Sequence, residues 1–192
     1  MTALRIRLSM LLFVTGAVLS GDGLATAQLT GSASGKPAVE AMATFGPFDE
    51  WVASVAISPD GSLFVTGTYD EIQVSKVGSA TPVQTVKHKL GRIRSLAFSA
   101  DGTQCFAGGF RKVVVLNAAS WKVERELSGH RAYVTAISPS PAGNALATSS
   151  EDATVRLWNL SDGTSRVLYQ EDEDPVMGVA FSPDGQQIAI AS

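Results

Sequence analysis

An all-β chain of repeated four-stranded antiparallel sheets is the architecture this sequence predicts, and three observations predict it. Four segments align without gaps: VASVAISPDG (52–61), IRSLAFSADG (93–102), VTAISPSPAG (134–143) and VMGVAFSPDG (176–185). Their final glycines, Gly61, Gly102, Gly143 and Gly185, are 41, 41 and 42 residues apart. Within each unit the apolar residues fall in short runs separated by Ser-Pro-Asp-Gly-type corners, and no 3.6-residue periodicity runs through them. The chain also has 18 Gly and 8 Pro in 192 residues with only 17% charged, which suits many tight turns and excludes a disordered polyelectrolyte.

The elements follow in order. A first strand such as Val52 to Ile57 meets a corner in which Pro presets the first central φ and Gly accepts the left-handed conformation. A second strand is expected at Leu63 to Thr66. Third strands are expected at Ile72 to Ser75, Val113 to Leu116 and Val155 to Trp158, and fourth strands at Pro82 to Val86, Val123 to Leu127 and Ser165 to Tyr169. Four strands in roughly 40 residues is the period of a propeller blade. The prediction is therefore a partial β-propeller of about three and a half four-stranded antiparallel blades, spanning 51–90, 91–130, 131–172 and the start of a fourth at 173–192. Met42 to Phe45 aligns with Val83 to Val86, so 41–46 reads as an outer strand of a preceding blade, and 41–192 as the repeat region. The last unit stops after its second strand, which leaves two readings open: part of a longer propeller, or a half-ring that self-associates to close. Pro139 stands where the other units have Ile57, Phe98 and Phe181, so the strand there is expected to end early or bulge.

The N-terminus reads as an address. Arg5 and Arg7 precede an apolar run from Leu8 to Leu19, and small residues end at Ala25-Thr26-Ala27, the three parts of a secretory signal peptide with cleavage after Ala27. The apolar run is shorter than the about 20 residues a spanning helix needs. Residues 1–27 are thus expected to be removed, 28–40 to form a flexible linker, and the mature chain to reside in the periplasm or outside the cell without a membrane contact.

The third unit carries a family resemblance. Gly129-His130 precedes its first strand, Asp152 lies six residues before Trp158, and Leu157-Trp158-Asn159 stands in place of a Trp-Asp pair. Over 42–192 the chain resembles the WD-repeat β-propellers of the secreted bacterial type. The resemblance implies a buried hydrogen-bonded chain of His130, Thr148, Asp152 and Trp158, with Ser150 the alternative hydroxyl. It implies no catalytic role for them, because a nucleophile must face a substrate cleft. Unit one has Thr66 and Asp70 but Ser75 and Phe48 where Trp and His would stand; unit two has Ala107 and Leu116, with His88 one place out of register.

The resemblance also implies that the loops before first strands and between second and third strands share a face used for protein or peptide binding. Here that face would hold Trp51, Tyr69, Arg92, Phe110, Arg111, Arg131, Tyr133 and Glu151, residue types that dominate interface energetics. Lys87, His88, Lys89, Arg92, Arg94, Arg111 and Lys112 make one sector basic, while Glu171 to Asp174 form an acidic run lacking the spacing of a calcium loop.

One cysteine and two histidines exclude a disulfide scaffold and a Cys-based zinc site. A formal charge of −3 gives no field that would select nucleic acid. No phosphate loop, metal cluster or repeated carboxylate pair is present. The sequence therefore predicts a non-enzymatic scaffold with no cofactor, no metal and no nucleic-acid partner. The competing reading is part of a propeller enzyme or cofactor-binding propeller whose active residues lie in further blades.

Overall fold

A computed structural model describes residues 27–28, 44–45, 50–79 and 81–192. The chain divides into two compact units, 1–47 and 48–192. In the first, β1 (Ala27–Gln28) pairs antiparallel with β2 (Thr44–Phe45), Ala27 opposite Phe45. The signal-peptide and linker readings otherwise lie outside the described residues.

The second unit holds thirteen strands and, among the described residues, no helix. Blade 1 is β3 (Ser54–Ile57), β4 (Leu63–Gly67), β5 (Tyr69–Lys76) and β6 (Pro82–Arg92), an antiparallel meander. Blade 2 is β7 (Ser95–Phe98), β8 (Gln104–Gly108), β9 (Phe110–Asn117) and the first part of β10 (Val123–Pro139). The second part of β10 opens blade 3, followed by β11 (Ala145–Ser150), β12 (Thr154–Asn159) and β13 (Ser165–Gln170). Blade 4 begins with β14 (Gly178–Phe181) paired to β15 (Ile188–Ala191). The first strand of each blade lies against that of the next, β3 on β7, β7 on β10 and β10 on β14. This is a partial β-propeller.

The corners repeat at atomic detail. Gly61, Gly102, Gly143 and Gly185 have φ of 71°, 71°, 72° and 71°, and each donates its N–H to the carbonyl of Ser58, Ser99, Ser140 or Ser182. Those serine hydroxyls accept the backbone N–H at the start of the second strand, at 2.9–3.0 Å. Ser58, Ser99 and Ser182 also donate to Asp60, Asp101 and Asp184 at 2.5–2.6 Å. In unit three, where Ala142 replaces the aspartate, Ser140 donates to Asn144 instead, at 3.0 Å. The hydrogen bond from Ser58 and those from Ser62 draw the exposed Asp60 pKa down to about 2.

Alternation within strands divides the core between blades, because successive side chains leave opposite faces of a sheet. Cys105, Ala107, Val114 and Leu116 of blade 2 pack with Val65, Ile72 and Val74 of blade 1. Phe106, Val113 and Val115 point the other way, onto Leu146 and Trp158 of blade 3. Ala147 and Val155 then meet Val176 and Val179 of blade 4. Serine and threonine side chains stitch first strands across blades: Ser54 donates to the carbonyl of Ile93 at 2.7 Å and Thr135 to that of Val176 at 2.6 Å. Gly108 makes the close approach possible, since a Cβ there would collide with Ser95 Oγ and lie 2.8 Å from Val134 Cγ1.

Pro139 corrects an expectation. The strand does not end early; Pro139 pairs with Leu146 in the register of Ile57 with Phe64. Ser140 donates to Ala145, so in the alternating antiparallel ladder position 139 is a non-hydrogen-bonded pair and its missing N–H faces away from β11. The irregularity falls instead between Val134 and Ala136. A second difference is that the fourth strand of blade 2 and the first of blade 3 form one continuous strand rather than two.

Candidate functional site

Turns between second and third strands meet the segments that enter blades: Asp70 reaches the Leu90 and Gly91 backbone, and Arg111 and Asp152 that of Arg131. In blade 3 a polar chain joins them. Trp158 Nε1 donates to Thr148 Oγ1 at 2.8 Å, leaving the Thr148 hydroxyl hydrogen for His130 Nε2 at 2.7 Å. This assignment puts the imidazole proton on Nδ1, 2.9 Å from Asp152 Oδ2. Asp152 also accepts from the Arg131 backbone N–H at 2.7 Å and from Thr154 Oγ1 at 2.6 Å. Ser150 lies outside the chain and accepts from the Asp152 N–H at 3.1 Å.

Burial lowers the His130 pKa by disfavouring the imidazolium, an effect that Asp152 opposes without reversing. Burial works against ionisation of Asp152, but the hydrogen bonds from Thr154, Arg131 N–H and His130 outweigh it and hold its pKa at about 2. A neutral, buried ring between a carboxylate and a committed hydroxyl is a brace: no member faces open solvent as an attacking group would. Cys105 is equally inert, its thiol pushed up to about 12 by burial.

The other blades use different braces. Asp70, at φ 57°, accepts from the N–H groups of Leu90 and Gly91 at 2.7 and 2.5 Å. Arg111, at φ 68°, donates Nε–H to the carbonyl of Arg131 at 3.1 Å. The two peptide groups flanking the Arg131 Cα are therefore both held, the N–H by Asp152 of blade 3 and the carbonyl by Arg111 of blade 2. Residue types at turn positions mark such braces in sequence, but their partners, twenty residues away, are not marked.

The structure brings Phe110, Tyr133, Arg111, Arg131 and Glu151 together. Phe110 opposes Tyr133 across the β9–β10 pair, with ring centroids 5.1 Å apart. Arg111 lies 5.2 Å from the Phe110 ring centre, and Arg94 4.4 Å from that of Tyr133. Arg94 also pairs with Glu151. Arg94, which the sequence marks only as part of a basic sector, stands in the loop before β7 and joins the aromatic pair. Tyr69 opposes Arg92 in blade 1 and is 58% exposed; Trp51 is 77% exposed and joins neither aromatic. Among the described residues no three His, Cys, Asp or Glu side chains gather as a metal site.

Blades that share a corner and a 41-residue register, one of them closed by this brace, define a WD-repeat propeller. Matches to the WD domain, G-beta repeat model cover residues 39–72, 80–116, 121–159 and 163–192, and the chain belongs to that family. It is 30% identical to protein groucho of Drosophila melanogaster over 149 residues, 74% of this chain and 20% of that protein. It is 27% identical over 136 residues to p21-activated protein kinase-interacting protein 1-like of Danio rerio, 70% of this chain and 37% of that one. With small ribosomal subunit protein RACK1y of Oryza sativa it shares 34% identity over 83 residues, 43% of this chain and 24% of that one. The chain thus spans well under half the length of these relatives.

Proposed function

We propose that this chain is a protein-interaction scaffold, exported from the cytoplasm, that recruits a protein or peptide through the face carrying Phe110 and Tyr133. One observation carries the reading: two aromatic rings in tilted contact, Phe110 45% exposed, bridge blades 2 and 3 with arginines over both rings. Rigid aromatic and arginine side chains on braced loops bind at low entropic cost. A relative whose name describes binding to a kinase and another named as a ribosomal subunit protein support it. Export is supported by the Arg5–Arg7, Leu8–Leu19 and Ala25–Ala27 pattern, a secretory signal of the kind resembling secreted bacterial members. A formal charge of −3 favours protein over nucleic acid. Self-association would run through β15, whose second edge carries no partner strand among the described residues.

The test compares affinity-purified partners of the full chain with those of a Phe110→Ser/Tyr133→Ser variant. A defined partner lost from the variant, with its β-sheet circular dichroism intact, supports the reading; partners indifferent to both substitutions overturn it. For export, N-terminal sequencing of the secreted product should begin at Gln28, and a cytoplasmic product retaining Met1 would contradict it.

A further inference from the structure

In the turns of blades 1 to 3 the carboxylates nearest the aromatic pair are engaged. Asp152 is enclosed by His130, Thr154 and the Arg131 N–H. Asp70 is filled by the N–H groups of Leu90 and Gly91. Glu151 pairs with Arg94, and Glu71 with Lys87. Three exposed arginines have no such counterion: Arg92, Arg111 and Arg131 lie within ion-pair distance of no carboxylate among the described residues. Arg111 follows Phe110 directly, and Arg131 lies two residues before Tyr133. Arg111 sits over Phe110 and reaches the Arg131 carbonyl. Gly91, next to Arg92, brings its Cα hydrogen to the Tyr133 hydroxyl, 3.0 Å from where a Cβ would stand.

We infer that this surface recognises a short acidic peptide segment carrying an aromatic or aliphatic side chain, the carboxylates meeting Arg92, Arg111 and Arg131 and the apolar group resting against Phe110 and Tyr133. This rests on the scaffold reading and narrows it. The guanidinium groups of Arg92 and Arg131, and the Nη groups of Arg111 beyond its Nε–H bond to the Arg131 carbonyl, match carboxylates in a bidentate geometry. Length is limited by the same chain: Glu171 to Asp174 enter the next blade, and their charge repels a polyanion extended in that direction. A short acidic segment satisfies both features, whereas a long RNA satisfies only the first.

The experiment pans a phage-displayed random 12-residue library on the full chain and measures the enriched peptides, as synthetic fluorescent probes, by anisotropy against the wild type, Arg92→Glu/Arg131→Glu and Phe110→Ser/Tyr133→Ser. The side chains of Arg92 and Arg131 are exposed and brace nothing, so the first variant keeps the fold. The expected result is enrichment of net-acidic peptides with an apolar residue, with affinity falling at least about tenfold in the arginine variant and declining with salt. Peptides without acidic bias, lost only in the aromatic variant, overturn this inference and leave the scaffold reading standing. Peptides indifferent to both variants, or a library yielding none, overturn both. Tighter binding of poly(U) RNA than of any peptide overturns the inference in favour of a nucleic acid.

Discussion

Thr148 and Thr66 occupy the same place in blades 3 and 1, and their hydroxyls have opposite fates. Thr148 accepts from Trp158 and donates to His130; Thr66 Oγ1 is buried with no hydrogen-bond partner among the described residues, and Ser75 stands opposite Phe64 where Trp158 stands opposite Leu146. A buried unsatisfied hydroxyl costs free energy that a methyl of the same shape does not. Thr66→Val should therefore stabilise the protein by about 1 kcal/mol and Thr148→Val destabilise it by about 2 kcal/mol in urea unfolding. The brace also sets a pH dependence. Folding lowers the His130 pKa, so the neutral ring's contribution is complete above the unfolded value of 6.5 and is lost as pH falls through the folded one. The Asp152 contribution is complete above 3.8 and is lost as pH falls towards about 2. The urea midpoint of the wild type should accordingly fall more steeply below pH 6.5 than that of His130→Gln; parallel curves would contradict the assignment. The brace residues are readable from sequence because each sits at a fixed offset from a strand. Asp70 is readable as a turn aspartate, but its partners at Leu90 and Gly91 depend on how two loops meet in space.

At the scale of strands, alternation explains both what was legible and what was not. The Ser-Pro-Asp-Gly corners and apolar runs locate every second strand within a residue or so, since Leu63 to Thr66 becomes Leu63–Gly67 and the other second strands fit the same register. The third and fourth strands run longer than their apolar runs, Tyr69–Lys76 against Ile72 to Ser75, because backbone pairing continues into polar residues that periodicity does not mark. Pro139 is tolerated for a reason of phase, the side of the ladder its nitrogen faces, which composition does not show. Blade 2, covered on both faces, should be the most sensitive to truncation. Phe106→Ala, removing a fully buried ring, should cost about 3–5 kcal/mol. Gly108→Ala should destabilise comparably by driving Ser95 and Val134 apart; an unchanged melting temperature for either would contradict the packing.

For the molecule as a whole, the period of 41 residues is what made the fold legible: a fixed repeat decides architecture before any strand is placed. The surface was half legible. Loop positions for Phe110, Tyr133 and Arg111 follow from the repeat, whereas the freedom of Arg92 and Arg131 beside carboxylates engaged elsewhere emerges only once each acid's partner is known. Successive units are adjacent blades, and cross-linking measures that order directly. The corner of unit two meets that of unit one, a Cβ at Gly102 lying 3.5 Å from Pro59 Cδ, while the buried Cys105 thiol stays unreactive. Cysteines introduced as Pro59→Cys and Gly102→Cys should be joined rapidly by a short bis-maleimide, and the Pro59→Cys/Gly143→Cys pair should not. Equal cross-linking of both pairs, or none at 59 and 102, would contradict the ordering of the blades.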